Sequence, residues 1–227
     1  MIKEKLVYGS FFYKIYILYH LFIKEKFYIK RSTYSQSQED LFIVKFFKKK
    51  KSGFYLDIGA FHPIKYSNTQ LLYNSGWRGI NIDMNPVSID CFNIVRSRDI
   101  NLKAAISNKK VKARVLINNY FSPTNSLSIT HFKKFNKSYS KKKFFFIKTT
   151  RVNEIISKKI DFLNIDIEGL DFKVVKDINL KILKPKLVCI EILKRNSKKK
   201  YLDYFKRQNY QLIEQISSNL FFSRTKS

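Results

Sequence analysis

Cysteine, glycine, proline and acid are all scarce in this chain. Its 227 residues hold two Cys, six Gly, four Pro and one Trp. Cys91 and Cys189 stand apart, with no C-x-x-C partner and no neighbouring His pair. That leaves no disulfide framework, zinc ribbon or dithiol redox motif, and predicts two reduced thiols in a cytosolic fold. With so few glycines there is no G-x-G-x-x-G, so a pyrophosphate lacks its usual cradle against a helix N-terminus. Acid is outnumbered, 17 Asp and Glu against 45 Lys and Arg, for a net charge of +28. Such an excess raises polyanions as partners. Much of it falls in runs such as Lys48–Lys51, Lys141–Lys143 and Lys198–Lys200, beside abundant Ile, Asn, Phe and Tyr. Those runs read as solvated faces rather than a nucleic-acid footprint.

Residues 6–23 form an apolar and aromatic block interrupted by Gly9, Lys14 and His20. On a helix its apolar side chains go almost all the way round. It is barely long enough to span a bilayer, with Lys14 near its middle, and it lacks the small-residue cleavage site of a signal peptide. Lys24, Lys26, Lys30 and Arg31 follow at once. Aromatics beside a basic cluster suit a headgroup-level anchor on an anionic membrane. A helix packed on the rest of the chain or on a second copy is the plainer reading. Residues 1–33 are expected to be a helical extension and 34–227 a single domain, in the cytoplasm or peripheral at the inner membrane face.

From Tyr34 the pattern becomes regular. Helix is expected at 37–47, 67–75, 86–96, 151–157, 170–178 and 199–208. Strand is expected at 54–58, 79–82, 102–107, 111–117, 144–148, 161–166 and 187–192, with an inserted loop at 118–143. The last two strands, 210–216 and 220–224, are separated by three residues. No crossover fits there, so they form an antiparallel hairpin. Repeated βα units ending in a hairpin imply an α/β fold: a mostly parallel sheet with one antiparallel strand and helices on both faces.

Ligands of such sheets bind at the carboxyl ends of the strands. The first strand offers Asp57, Gly59 and Ala60, then Phe61-His62-Pro63. The second offers Asp83, the third Ala104 and Ala105, the fourth Asp166, Glu168 and Gly169, and the fifth Glu191. Gly59, two residues past Asp57, permits a tight turn and close backbone approach to a ligand. Asp83 is placed to accept hydrogen bonds from ribose hydroxyls. Elsewhere, Trp77 reads as a core plug, Asn68 as either a helix cap or a substrate contact, and Ser122–Thr130 as an acceptor loop or further helix caps.

The ordered set Ser35-Gln36…Glu39-Asp40, Asp57-Ile-Gly-Ala…Pro63, Ser67-Asn-Thr69, Gly76-Trp-Arg-Gly79, Asp83, Ala105-Ile-Ser107, Asp161-Phe-Leu-Asn-Ile-Asp-Ile-Glu-Gly169 and Pro185…Glu191 resembles the FkbM family of S-adenosylmethionine-dependent methyltransferases. The resemblance runs from about Tyr34 to Arg224. It implies a Rossmann-like sheet with a reversed seventh strand, and methyl transfer, commonly to a hydroxyl in surface glycans or secondary metabolites. It places the Asp57–Ala60 turn at the methionine part of the cofactor, Asp83 at the ribose, Ala104 and Ala105 beside the adenine, and Asp166 near the sulfonium and the acceptor.

An alcohol acceptor must lose a proton, so a base within hydrogen-bond reach is expected. The candidates are Asp166, Glu168 and His62; His62, before a proline, also reads as a loop-ordering residue. Asp166-x-Glu168 could instead hold a divalent cation, although no further ligand set is apparent, and no metal is favoured. The reading is O-methylation of a sugar, glycan or glycolipid precursor. Its rivals are a nucleic-acid methyltransferase, an NAD-type oxidoreductase or epimerase, and a non-catalytic membrane-surface protein. The first lacks the Asn/Asp-Pro-Pro-Tyr/Phe tetrapeptide of amino-methylating enzymes after the fourth strand. The second lacks its glycines. The third is opposed by the intact strand-tip acids.

Overall fold

The computed structural model describes residues 8–29, 31–117, 122, 125, 127, 132–133, 143–167, 171–192 and 197–225. Ser10 caps the first helix, α1 (Phe11–Tyr19), its hydroxyl accepting from Tyr13 N at 3.2 Å. The helix runs on through a π turn (His20–Lys24) and a 3-10 turn (Lys26–Tyr28). Then come α2 (Glu39–Phe46), β1 (Phe54–Ile58), α3 (Gln70–Asn74), β2 (Arg78–Asp83) and α4 (Pro86–Val95). The second half holds β3 (Ile100–Lys103), β4 (Ala105–Ile106), β5 (Lys112–Ile117), β6 (Lys143–Thr150), α5 (Val152–Ile155), β7 (Phe162–Ile165), α6 (Asp171–Asp177) and α7 (Leu180–Leu183). It closes with β8 (Leu187–Glu191), α8 (Lys198–Arg207), β9 (Tyr210–Ile216) and β10 (Asn219–Arg224).

Seven strands form one sheet in the order β3-β2-β1-β7-β8-β10-β9. Every pairing is parallel except those of β10, which runs antiparallel to both β8 and β9. The strand expected at 102–107 is divided. Lys103 ends the pairing with β2, and Ala105–Ile106 turns away to pair with Thr149–Thr150 in a second, three-stranded sheet with β5 and β6. The helix expected at 67–75 is shorter, because Ser67–Thr69 is drawn into side-chain hydrogen bonds that compete with helical ones.

Strand alternation sorts the core into two faces. Leu56, Ile58, Ile80, Ile82, Leu163, Ile165, Val188 and Ile190 point one way, against α5 to α8. Tyr55, Phe162, Leu187 and Phe221 point the other way, with Ile43 of α2, Phe47 and Leu72 of α3. Trp77 is buried on this second face, 4.8 Å from the Phe47 ring, and plugs the core as expected. A row of polar residues crosses the same face: Asn101, Asn81, Asp57 and Asn164 sit side by side on β3, β2, β1 and β7. A third, smaller cluster joins Tyr13, Ile17 and Leu21 to Val87 and Cys91 of α4. Both cysteines are buried free thiols.

Candidate active site

The carboxyl ends of β1, β2 and β7 open into a cleft of about 140 Å3. Asp57, Gly59, Ala60, Asp83, Ala104, Ala105 and Asp166 all line it, so the structure brings together residues spread over more than a hundred positions. Gln36, Tyr66, Asn68 and Ser88 line it too, as do Ser122, Asn125 and Leu127 from the inserted segment.

The floor of the cleft is a backbone junction. Gly59 N and Ala60 N donate to Ile82 O at 2.9 and 3.1 Å, and Asp166 N donates to Ile58 O at 2.9 Å. Gly59 has φ +79°, and a Cβ there would overlap the carbonyl oxygen of Asp166. Glycine is therefore required twice, for the left-handed backbone and for the contact with β7.

Asp83 closes one end of the floor. Its Oδ2 accepts from Phe61 N at 2.9 Å and its Oδ1 from Asn85 N at 2.7 Å, which pins the turns after β1 and β2 together. Asn85 in turn caps α4, its side chain accepting from Val87 N at 3.1 Å. Burial pushes the Asp83 carboxyl up to about 6, against the two N–H donors, which favour the charged form. A carboxylate has about four acceptor positions, so each oxygen keeps room for another donor.

Asp57 is built differently. It is 2% exposed, and both its oxygens are engaged: Thr69 Oγ1 donates at 2.6 Å and Asn164 Nδ2 at 2.8 Å. Burial raises its pKa, and those two bonds oppose the rise. Asn164 also accepts from Asn68 Nδ2 at 3.1 Å. Asn68 thus braces the β7 strand, while the residue at the N-cap of α3 is Thr69, which makes no side-chain cap bond.

Behind this layer lies Arg96, fully buried and not anticipated from sequence. Its Nε and Nη2 donate to Pro63 O at 3.0 and 2.6 Å. Nη2 also reaches Ser67 Oγ at 2.7 Å, Nη1 reaches Thr69 Oγ1 at 2.7 Å, and Nε reaches Gln70 Oε1 at 2.9 Å. One guanidinium therefore holds the 63–70 loop that forms a wall of the cleft.

His62 is not among the residues lining that cleft. It faces a neighbouring pocket of about 180 Å3, with His20, Lys24, Glu25 and Lys65. Its Nδ1 accepts from Ile64 N and Lys65 N at 3.1 and 3.0 Å, so the ring proton sits on Nε2, a buried donor without an acceptor among the described residues. Burial, with His20 and Lys65 nearby, lowers its pKa to about 3. A neutral ring with Nδ1 already engaged orders the loop; it does not take a proton from the cleft. Glu168, Gly169, Ser126, Ser128, Thr130 and His131 lie outside the described residues. Among those described, no group of three His, Cys, Asp or Glu is arranged to hold a metal.

A family model described as a methyltransferase FkbM domain matches residues 57–212. The fold is similar to the crystal structure of a methyltransferase FkbM from Methylobacillus flagellatus KT, with TM-score 0.50 and 14% identity, covering 97% of this chain and 56% of that one. The chain thus spans little more than half the length of that relative. A SAM-dependent O-methyltransferase from Thermotoga maritima aligns with TM-score 0.49 and 9% identity over 90% of this chain and 71% of that one. No curated protein matches the chain.

Proposed function

Because the chain belongs to the FkbM methyltransferase family, we propose that it binds S-adenosylmethionine in the cleft and methylates a hydroxyl of a sugar, glycan or glycolipid precursor. The observation that carries this reading is the convergence of Asp57, Gly59, Asp83, Ala105 and Asp166 on one cleft.

The residues fit that cofactor. Gly59 lines the cleft without a side chain, and its Cβ position is taken by the Asp166 carbonyl, so the turns after β1 and β7 close tightly at the floor. Asp83 has acceptor capacity for the two hydroxyls of a ribose. Ala104 and Ala105 leave flat space beside the position such a nucleoside's base would take. Nothing in the glycine-poor turn asks for phosphates.

When bound, S-adenosylmethionine supplies an electrophilic methyl group. The chain contributes position and a base. Asp57, held by Thr69 and Asn164, keeps the floor rigid so that donor and acceptor meet in line. Asp166, at the tip of β7, takes the proton of the acceptor hydroxyl, with Glu168 as the alternative base. Ser122 and Asn125, which also line the cleft, offer polar groups to an acceptor.

Calorimetric titration with S-adenosylmethionine tests the first half; absence of binding heat removes it. Incubation with methyl-labelled cofactor and fractionated cell extract tests the second. Label released by glycosidase digestion supports a sugar acceptor, and label retained in nucleic acid or protein overturns it.

A further inference from the structure

The helix α1 and the turns after it are apolar on two opposite sides, and the structure accounts for one of them. The inner side, Tyr13, Ile17 and Leu21, is buried against Val87 and Cys91 of α4, and Tyr13 Oη donates to Asp90 Oδ2 at 2.6 Å. The outer side carries Phe11, Phe12, Ile15, Leu18, Phe22 and Phe27, all exposed; Phe11 and Phe12 are 71% exposed and Phe27 is 72%. At 100° per residue, residues 11, 12, 15, 18 and 22 share one face. A helix apolar all round is normally covered all round.

Charge says what covers the outer face. Lys14, Lys24, Lys26 and Arg31 are exposed around it. The single acid between residues 5 and 38, Glu25, is turned inward; it is 7% exposed and its carboxylate is met by Lys24 at 3.8 Å and Lys65 at 3.3 Å. The described surface of this segment therefore presents cations and aromatic rings and no exposed carboxylate. No described helix is long and apolar enough to cross a membrane.

We propose that the outer face of α1 and the following turns docks in the headgroup region of an anionic lipid bilayer, with the helix lying in the plane of the surface. The rings enter at the headgroup–acyl boundary and the lysines meet lipid phosphates. A zwitterionic surface offers the first contact without the second, and a second copy of this chain would set cation against cation. This assignment concerns the surface alone and holds whether or not the cleft transfers methyl groups.

The test is co-sedimentation of the full chain with two kinds of vesicle, phosphatidylcholine alone and phosphatidylcholine mixed with phosphatidylglycerol. Binding to the mixed vesicles, weaker binding to the neutral ones and loss with added salt are expected. Phe12→Gln/Phe22→Gln should weaken partitioning at least tenfold. Lys14→Gln and Lys26→Gln should each weaken it roughly fivefold. All four side chains are exposed, so the melting temperature and the affinity for S-adenosylmethionine should stay unchanged. The lysine variants and the wild-type vesicle series decide the matter should the double variant misfold. The proposal is overturned if neither vesicle binds, or if binding ignores the phenylalanine changes. It is equally overturned if light scattering finds a dimer that the double variant splits.

Discussion

Arg96 Nη1 donates to the hydroxyl of Thr69 at 2.7 Å, and that hydroxyl donates onward to Asp57 Oδ2 at 2.6 Å. The buried cation reaches the cleft floor through one intermediary. Its other bonds hold Pro63, Ser67 and Gln70, with longer ones to Asn81 Oδ1 and Tyr55 Oη. Arg96→Leu leaves those acceptors without their donor in a desolvated layer, removes the nearby charge that favours ionised Asp57, and should cost about 3–5 kcal/mol. Arg96→Lys should recover little of it, since an ammonium lacks the planar fork that reaches them all. Urea denaturation of the variants measures both.

Gly59 and Gly76 form a natural control pair. Both have positive φ, +79° and +93°, but a Cβ at Gly76 meets nothing within 4 Å. Gly76→Ala should therefore cost about 1–2 kcal/mol for its left-handed backbone alone. Gly59→Ala should cost more and abolish cofactor binding, because the junction with Asp166 must also shift. Equal losses in thermal melts, with binding intact at Gly59→Ala, would contradict the close approach.

If Asp83 holds the ribose as proposed, it should set a pH dependence for cofactor affinity. Its pKa of about 6 in the free protein lies above the ordinary value of 3.8. The ionised form is the better acceptor for ribose hydroxyls, so affinity should be level above that pH and fall below it. At pH 5 it should be about tenfold weaker than its plateau. Asp83→Asn should weaken binding by roughly 1.5–3 kcal/mol and flatten the profile. Calorimetry across pH checks both.

His62 acts on stability, and its pKa is shifted in the other direction. Its folded pKa, about 3, lies below the ordinary 6.5, so folding favours the neutral ring. Between those values the unfolded chain binds more protons, and stability rises with pH. The contribution is complete above about 6.5 and is lost as pH falls toward 3. Asp83, with its raised pKa, loses stability as pH rises from 3.8 to about 6, so the wild-type profile mixes the two. His62→Asn keeps an acceptor for the N–H groups of Ile64 and Lys65 but cannot titrate. The stability difference between wild type and this variant should grow by up to roughly 1.4 kcal/mol per pH unit through the window, then level off. His20, Lys24, Glu25, Lys65 and Arg96 also face this ring or act on it, so the difference rather than either curve is the reading.

Much of the architecture was legible because strands with both faces covered read as apolar runs, and their ends stand out by contrast. Asp57, Gly59, Asp83 and Asp166 were visible in that way. Arg96 was not. An arginine followed by Ser97-Arg98 reads as a solvated helix end, since arginine is rarely fully buried. A signal existed in the strands themselves: Asp57, Asn81, Asn101 and Asn164 are all polar at one phase of the alternation, and a polar row on a buried face needs partners. The division at Ala104 was hidden for another reason. Nothing local distinguishes a strand that continues from one that changes partner, and the partner, Thr149–Thr150, lies more than forty residues on. The outward face of α1 was ambiguous because burial on one side and contact on the other give the same residue types.

Strand β10 comes last in sequence but sits between β8 and β9. A ribosome releases this chain from its leading end, so an interior position of the sheet stays vacant until residues 219–224 emerge. Until then the flank of β8, with Leu187 to Glu191, is an open template for any other extended segment. Shielding that flank during synthesis is a task the finished molecule no longer displays.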